Sequence, residues 1–241
     1  MAKKIINILI ASPISDYKDY VLDDWIRYVK SVLKSYSTGH VQVKLLLVDN
    51  SQDQSYHLKI ERRHDVSVIH TEPTFKNSRQ FICDSRLIAR NVFLGSKYDF
   101  FLSLECDVFP PANFITHLLA RRKHIVSLPY FIGDGIQSRP MIQVTDKSPA
   151  EPRTTRDLSA EELFMLSGSI FPVFNAGLGC TLISRRIIEQ FAFRWDKEID
   201  FHDDSFLADD LYQNHITWWC DASLICRHDN VPWNYFPKNK F

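Results

Sequence analysis

Two carboxylates two residues apart, Glu105 and Asp107, follow the short apolar run Phe100-Phe101-Leu102-Ser103-Leu104, with Cys106 between them. At the end of a buried strand such a pair can approach one cation together. Oxygen ligands suit Mg2+ or Mn2+, ions that often bridge to substrate phosphates. A strand that exits into solvated acids reads the same way. Asp49, in Asp49-Asn50-Ser51, also follows an apolar run. An acid there can accept from a base N–H or a ribose hydroxyl, although all three residue types also favour turns. Arg86 and Arg90 lie four apart, so on a helix they share a face. Two guanidinium groups on one face can meet a diphosphate, or simply solvent. His202-Asp203-Asp204 precedes a helical stretch, and His228-Asp229 follows the last apolar run. An acid at a helix start can be only a cap, and a lone His after a strand can be structural.

These groups work together only if the elements between them bring them to one place. Residues 5–11 read as a buried strand, and 41–48, 66–70, 100–104 and 125–128 as further strands. Between them, 17–36 carries Val21, Trp25, Tyr28, Val29, Val32 and Tyr36 at helical spacing, with Gly39 beyond. Residues 79–94 and 112–122 read as helices too. Strands alternating with helices predict an α/β domain with a mostly parallel sheet covered on both faces. Ligands of such sheets bind at the carboxyl ends of the strands. That is where Ser12, Asp49, Asn50, Glu105 and Asp107 fall.

After Tyr130 the alternation stops. Residues 133–152 are polar with three prolines and read as a long loop. Ser159-Ala160-Glu161-Glu162 is a capping-box signature. Residues 185–191 and 205–213 read as helices, and 217–227 as one or two strands. No repeat or low-complexity tract interrupts the chain.

Composition narrows the classes. Hydrophobic residues make up 45% of the 241 and charged residues 24%, as in an ordinary globular chain. Lys+Arg and Asp+Glu both count 29, so no bulk electrostatic pull toward nucleic acid or anionic membrane follows. Five scattered cysteines argue against a disulfide framework, and Cys220, Cys226 and His228 make a poor zinc signature. Met1-Ala2-Lys3-Lys4 and the following apolar run superficially resemble a secretory leader. The run is short, holds Asn7 and breaks at Pro13 without a cleavage site. No run approaches transmembrane length. The expectation is a cytoplasmic protein, in a host cytoplasm if phage-encoded, with its oligomeric state open.

Taken together, the pieces resemble the GT-A-type nucleotide-sugar glycosyltransferases, in particular the large inverting, family 2-like group. The likeness covers roughly residues 5–228. Leu47-Val48-Asp49-Asn50-Ser51 looks like the strand ending in a base-binding Asp. Arg86 to Asn91 looks like the helix before the metal motif. Leu104-Glu105-Cys106-Asp107-Val108 sits where that family has its D-x-D, with Glu and Cys as departures. In the family an acidic pair opens a helix, a strand follows, and a His about two dozen residues on completes the metal site. Asp203-Asp204 takes the pair's place here, and His228 lies 24 residues after Asp204. An alternative register uses Asp209-Asp210. Asn175-Ala176-Gly177-Leu178-Gly179-Cys180 resembles the small-residue segment lining the sugar.

The resemblance implies a single domain over 1–241, with a nucleotide-binding half at 1–130 and an acceptor and catalytic half at 131–241. It implies Mn2+ or Mg2+ on Asp107 and His228, and Asp204, beside Asp203, as the base. Donor contacts would come from Pro13, Asp49, Arg86, Arg90, Glu105 and Gly177. The implied reaction is hexosyl or pentosyl transfer from a nucleotide-diphosphate sugar, a UDP-sugar first, to an acceptor hydroxyl with inversion. The acceptor stays open between a saccharide, a protein and a modified DNA base. Residues 133–166, with Arg139, Lys147, Arg153 and Arg156 among acids, are its expected face. Residues 231–241 are expected to order on donor binding. Two other readings are a sugar nucleotidyltransferase and a non-catalytic nucleotide-binding module. The first needs a Gly-rich loop after the first strand, and the first glycine is Gly39. The second leaves the acids and the terminal His without a task.

Overall fold

In the computed structural model the described residues are 5–36, 39–72, 78–133, 138–145, 154–199 and 201–229. The first half builds a series of strand–helix units. β1 (Ile6–Ile14) leads through one 3-10 turn at Asp16–Lys18 into α1 (Asp19–Lys34). β2 (Val41–Asp49), α2 (Tyr56–His64), β3 (Ser67–His70), α3 (Ser78–Leu94) and β4 (Phe100–Leu104) follow. β1, β2, β3 and β4 pair in parallel. Alternation along each strand serves both faces. Ile8, Ile10, Leu45, Leu47, Leu102 and Leu104 pack on the side of Trp25, Ile26 and Val29 of α1. Leu9, Ala11, Leu46, Val48 and Phe101 pack on the side of Cys83, Ala89 and Phe93 of α3. Burying both faces is what turns these strands into continuous apolar runs. Each fully buried side chain of this kind contributes about 1.5–3 kcal/mol.

β5 (Val108–Phe109), α4 (Phe114–Ala120), β6 (Ile125–Ser127), β7 (Phe131–Ile132), β8 (Arg139–Pro140), β9 (Gln143–Thr145) and β10 (Thr155–Asp157) come next. They are followed by α5 (Ala160–Met165), β11 (Ile170–Val173), β12 (Cys180–Ser184), α6 (Arg185–Gln190), α7 (Asp203–Gln213), β13 (Trp218–Asp221) and β14 (Arg227–His228). The central sheet has eight strands in the order β11-β13-β6-β12-β4-β1-β2-β3. β12 enters antiparallel between β4 and β6, so the second half of the chain extends the sheet begun by the first. The fold is α/β, with a parallel half and a mixed half. No helix among the described residues is long and apolar enough to cross a membrane.

Three local readings change. Residues 133–152 are not loop throughout: β8 and β9 lie within them, with β9 paired to β10. Strands of two or three residues are too short to show a period. α2 was not legible because only Tyr56 and Ile60 of its nine residues are buried. β11 was hidden by Pro172, which an edge strand tolerates. The Ser159 capping box forms as expected, its hydroxyl accepting from Glu162 N and the Glu162 carboxylate accepting from Ser159 N. Lys147 and Arg153, and the tail 231–241, lie outside the described residues.

Candidate functional site

Glu105 and Asp107 sit in the tight turn between β4 and β5, closed by Val108 N donating to Glu105 O at 3.0 Å. β5 pairs antiparallel with β14, which sets His228 opposite Val108. Asp229 N donates to Asp107 O at 2.9 Å and continues that ladder. A two-residue sheet therefore carries His228 to Asp107. Their side chains approach with His228 Nε2 3.3 Å from Asp107 Oδ2. His228 Nδ1 donates to Phe131 O at 2.7 Å, which fixes that tautomer and leaves Nε2 facing the carboxylate.

Lys18, in the 3-10 turn after β1, places its ammonium on the same Asp107 Oδ2. Burial alone would raise the Asp107 carboxyl, but His228 and Lys18 outweigh it and hold it down at about 2. Burial alone would lower the His228 imidazole, and Asp107 reverses this so that it is raised. No local pattern marks Lys18; it is one of many lysines until the fold sets it 89 residues away against Asp107.

A second ion-pair group adjoins the first. Arg86 of α3, 3% exposed, donates to Asp203 Oδ1 and Glu105 Oε1, both at 2.6 Å. Asp203 and Asp204 form the first turn of α7, two residues earlier than the helix start read from the sequence. Asp204 Oδ1 accepts from Ser205 N at 2.6 Å. Burial first, then the adjacent Asp203, raises the Asp204 carboxyl. Tyr130 is buried, and the charges of Glu105, Asp204, Arg86 and Asp107 all act on its hydroxyl, whose pKa burial pushes up.

Arg90 does not join them. Its Nε donates to Ile188 O at 2.9 Å and Phe191 O at 3.2 Å, closing the end of α6. The expected shared face of Arg86 and Arg90 is thus divided between two tasks, because α6 packs against the later turn of α3. Asp210 pairs instead with Arg194 at 2.7 Å.

Gly177 and Gly179 run under Tyr130. Gly177 has φ 64°, a conformation costly to residues with a Cβ. A Cβ on Gly179 would lie 2.6 Å from the Tyr130 ring. Glu105 N donates to Gly179 O at 2.9 Å, tying this segment to the acidic turn. Gly179→Ala is expected to cost about 1–3 kcal/mol by overpacking. Urea unfolding measures it, and an unchanged midpoint would show that Tyr130 can move aside.

At the far strands Asp49 is fully buried. Its Oδ1 accepts from Ser51 N at 3.0 Å and Ser51 Oγ at 2.5 Å, and its Oδ2 pairs with His70 Nδ1 at 2.8 Å. Pro13 of β1 lies beside it, paired with Val48. His70 was not singled out by sequence; it becomes visible only because β3 is in register with β2.

The Asp107–His228 pair fits a divalent cation. It offers one carboxylate oxygen and one imidazole nitrogen 3.3 Å apart, with the tautomer preset. A cation held by two protein ligands would take its remaining ligands from outside the protein.

No family profile and no curated protein matches the chain. Among solved structures, GalNAc-T7 with UDP, GalNAc and Mn2+ is similar over 94% of this chain and 44% of its own, with TM-score 0.61 and 11% identity. The mannosyltransferase PcManGT from Pyrobaculum calidifontis, in complex with GDP-Man and Mn2+, is similar over 97% of this chain and 58% of its own. Its TM-score is 0.58 and its identity 13%. The chain therefore spans about half the length of these proteins. What it shares with them is the fold, the GT-A arrangement.

Proposed function

We propose that this chain transfers a sugar from a nucleotide-diphosphate donor, with a divalent cation, Mn2+ or Mg2+, held by Asp107 and His228. The observation that carries the reading is the gathering of the Asp107–His228 pair, the Asp203–Asp204 acids and Arg86 at one end of the sheet. The expected donor is a UDP-sugar. Residues 1–130 would bind the nucleotide and residues 131–241 would supply the base and the acceptor face.

A cation there would offset the charge of the departing diphosphate. Asp204 would accept the proton of the acceptor hydroxyl as that oxygen bonds to the anomeric carbon. The carbon–phosphate-oxygen bond breaks in the same step, and the nucleoside diphosphate leaves. One displacement inverts the anomeric centre. Glu105 and Asp203 would act through Arg86, whose guanidinium they hold in place. Gly177 would leave room for the sugar, and Pro13 would border the nucleoside, with Asp49, its oxygens held by Ser51 and His70, supporting that wall from behind. Arg90 would serve from outside the site, by holding α6 on α3. The acceptor would be a saccharide, a protein or a modified DNA base. A base within duplex DNA would have to be extruded to reach Asp204.

The test is thermal protection by UDP-, GDP- and CMP-sugars with and without Mn2+, followed by assay of released nucleotide. Cation-dependent protection by a nucleotide sugar, lost in Asp107→Ala, is the expected result. No protection by any of them would end the proposal. Protection without turnover toward any acceptor would favour the binding-module reading, which the Lys18 contact on Asp107 also favours.

Lys18 yields a further expectation. Its ammonium competes with a cation for Asp107 Oδ2. Lys18→Met should therefore tighten Mn2+ binding by about tenfold, the scale of one partly screened charge pair. Calorimetry with Mn2+ alone measures this. Equal or weaker affinity would show that Lys18 does not compete.

A further inference from the structure

Away from the Asp107 pair, one β–α–β unit gathers a second set of ligand groups. Asp49 ends β2 and His70 ends β3, and the two are directly opposed in the parallel register. In-register residues of neighbouring strands project to the same face. His57, in the first turn of α2, closes over them from the connection between these strands. The two imidazoles stack with centroids 5.0 Å apart and planes 21° off parallel. One ligand atom from each of Asp49, His57 and His70 lies within 4.8 Å of the others.

Two ring nitrogens here are buried without a partner among the described residues, His57 Nδ1 and His70 Nε2. A buried polar atom left unpaired costs about 1–3 kcal/mol. A cation taken by His57 Nδ1 would remove the first of these costs, with His70 reaching it through the Nδ1 that now pairs with Asp49 Oδ2 at 2.8 Å. Ser51 already holds Asp49 Oδ1 through its N–H and hydroxyl, the kind of outer support that orients a ligating carboxylate.

We infer that Asp49, His57 and His70 form a zinc-class metal site. Two imidazoles and one carboxylate suit Zn2+, with a fourth position left for water, whereas Mg2+ and Mn2+ prefer oxygen-rich sets. Tetrahedral Zn2+ ligands stand about 3.3 Å apart, so atoms that lie within 4.8 Å of one another would close by up to about 1.5 Å on binding. The site also answers a packing problem. α2 buries only Tyr56 and Ile60, and a metal bound by His57 fastens its first turn to the ends of β2 and β3.

The test uses tag-free protein stripped with a chelator and titrated with Zn2+ alone by calorimetry. Co2+ is used in parallel to read the coordination number by visible absorption. One Zn2+ per chain is expected, and the Asp107→Ala/His228→Ala double variant should still bind it. His57→Ala and His70→Ala should each weaken binding by more than the ten- to hundredfold typical of losing an outer partner. Zn2+ should raise the Tm of the wild-type chain and not that of His57→Gln, which serves if His57→Ala fails to fold. Two results overturn the site: no Zn2+ binding by the wild-type chain, or binding that survives in His57→Gln and disappears in the Asp107/His228 double variant.

Discussion

Asp204→Asn is expected to lower kcat for sugar transfer by about a hundred- to ten-thousandfold, with donor affinity nearly unchanged. The substitution keeps an oxygen to accept from Ser205 N, so the first turn of α7 loses no hydrogen bond. What it removes is the ability to take a proton. The pH profile carries a separate signature. Burial, then Asp203, raises the Asp204 carboxyl, while His202 and Arg86 oppose the shift. A base must be ionised, so kcat should fall on the acid side at a pH above that of an ordinary carboxylate. Asp203→Asn removes the adjacent negative charge and should move that limb to lower pH. The stability sign runs the other way. A carboxyl raised on folding contributes most below its unfolded pKa, and that contribution is lost as pH rises through the folded value. Asp204→Asn should therefore be at least as stable as wild type at neutral pH. Steady-state transfer, donor calorimetry and a melt measure all three, and full activity in Asp204→Asn would refute the assignment.

Arg86→Met is expected to destabilise the chain by about 3–5 kcal/mol, the cost of leaving a buried charge without its partner. Asp203 is 1% exposed and has Oδ1 on Arg86, while its Oδ2 has no hydrogen-bond partner among the described residues. Without the guanidinium its charge has no route to water. At this chain length the loss corresponds to a fall in Tm of roughly 6–20 °C. Arg86→Lys should be intermediate, since one ammonium cannot reproduce the fork that reaches both Asp203 and Glu105. Arg86→Met combined with Asp203→Leu should recover much of the loss, because the pair is then replaced by apolar volume. A single variant within about 1 kcal/mol of wild type by urea unfolding would show that Asp203 finds another counter-charge.

The sequence alone determined the alternating strands and helices of the first half, except α2. It also placed Asp49, Glu105 and Asp107 at strand ends and Asp203–Asp204 at a helix start. These are local facts, written in a period of two or 3.6 and in turn residues within a few positions. Local pattern also misled where it was thin, as in α2 with two buried residues and β8 and β9 with two or three residues each. Only the tertiary structure decided which charges meet. Arg86 finds Asp203 across 117 residues, and Lys18 finds Asp107 across 89. Arg90, one turn from Arg86, is sent instead to the end of α6. His57 and His70 become neighbours of Asp49 only through the register of β3 on β2. The reason is physical: periodicity encodes which face of an element is buried, whereas sheet order and strand register choose the residues opposite that face, and no short stretch of chain contains both.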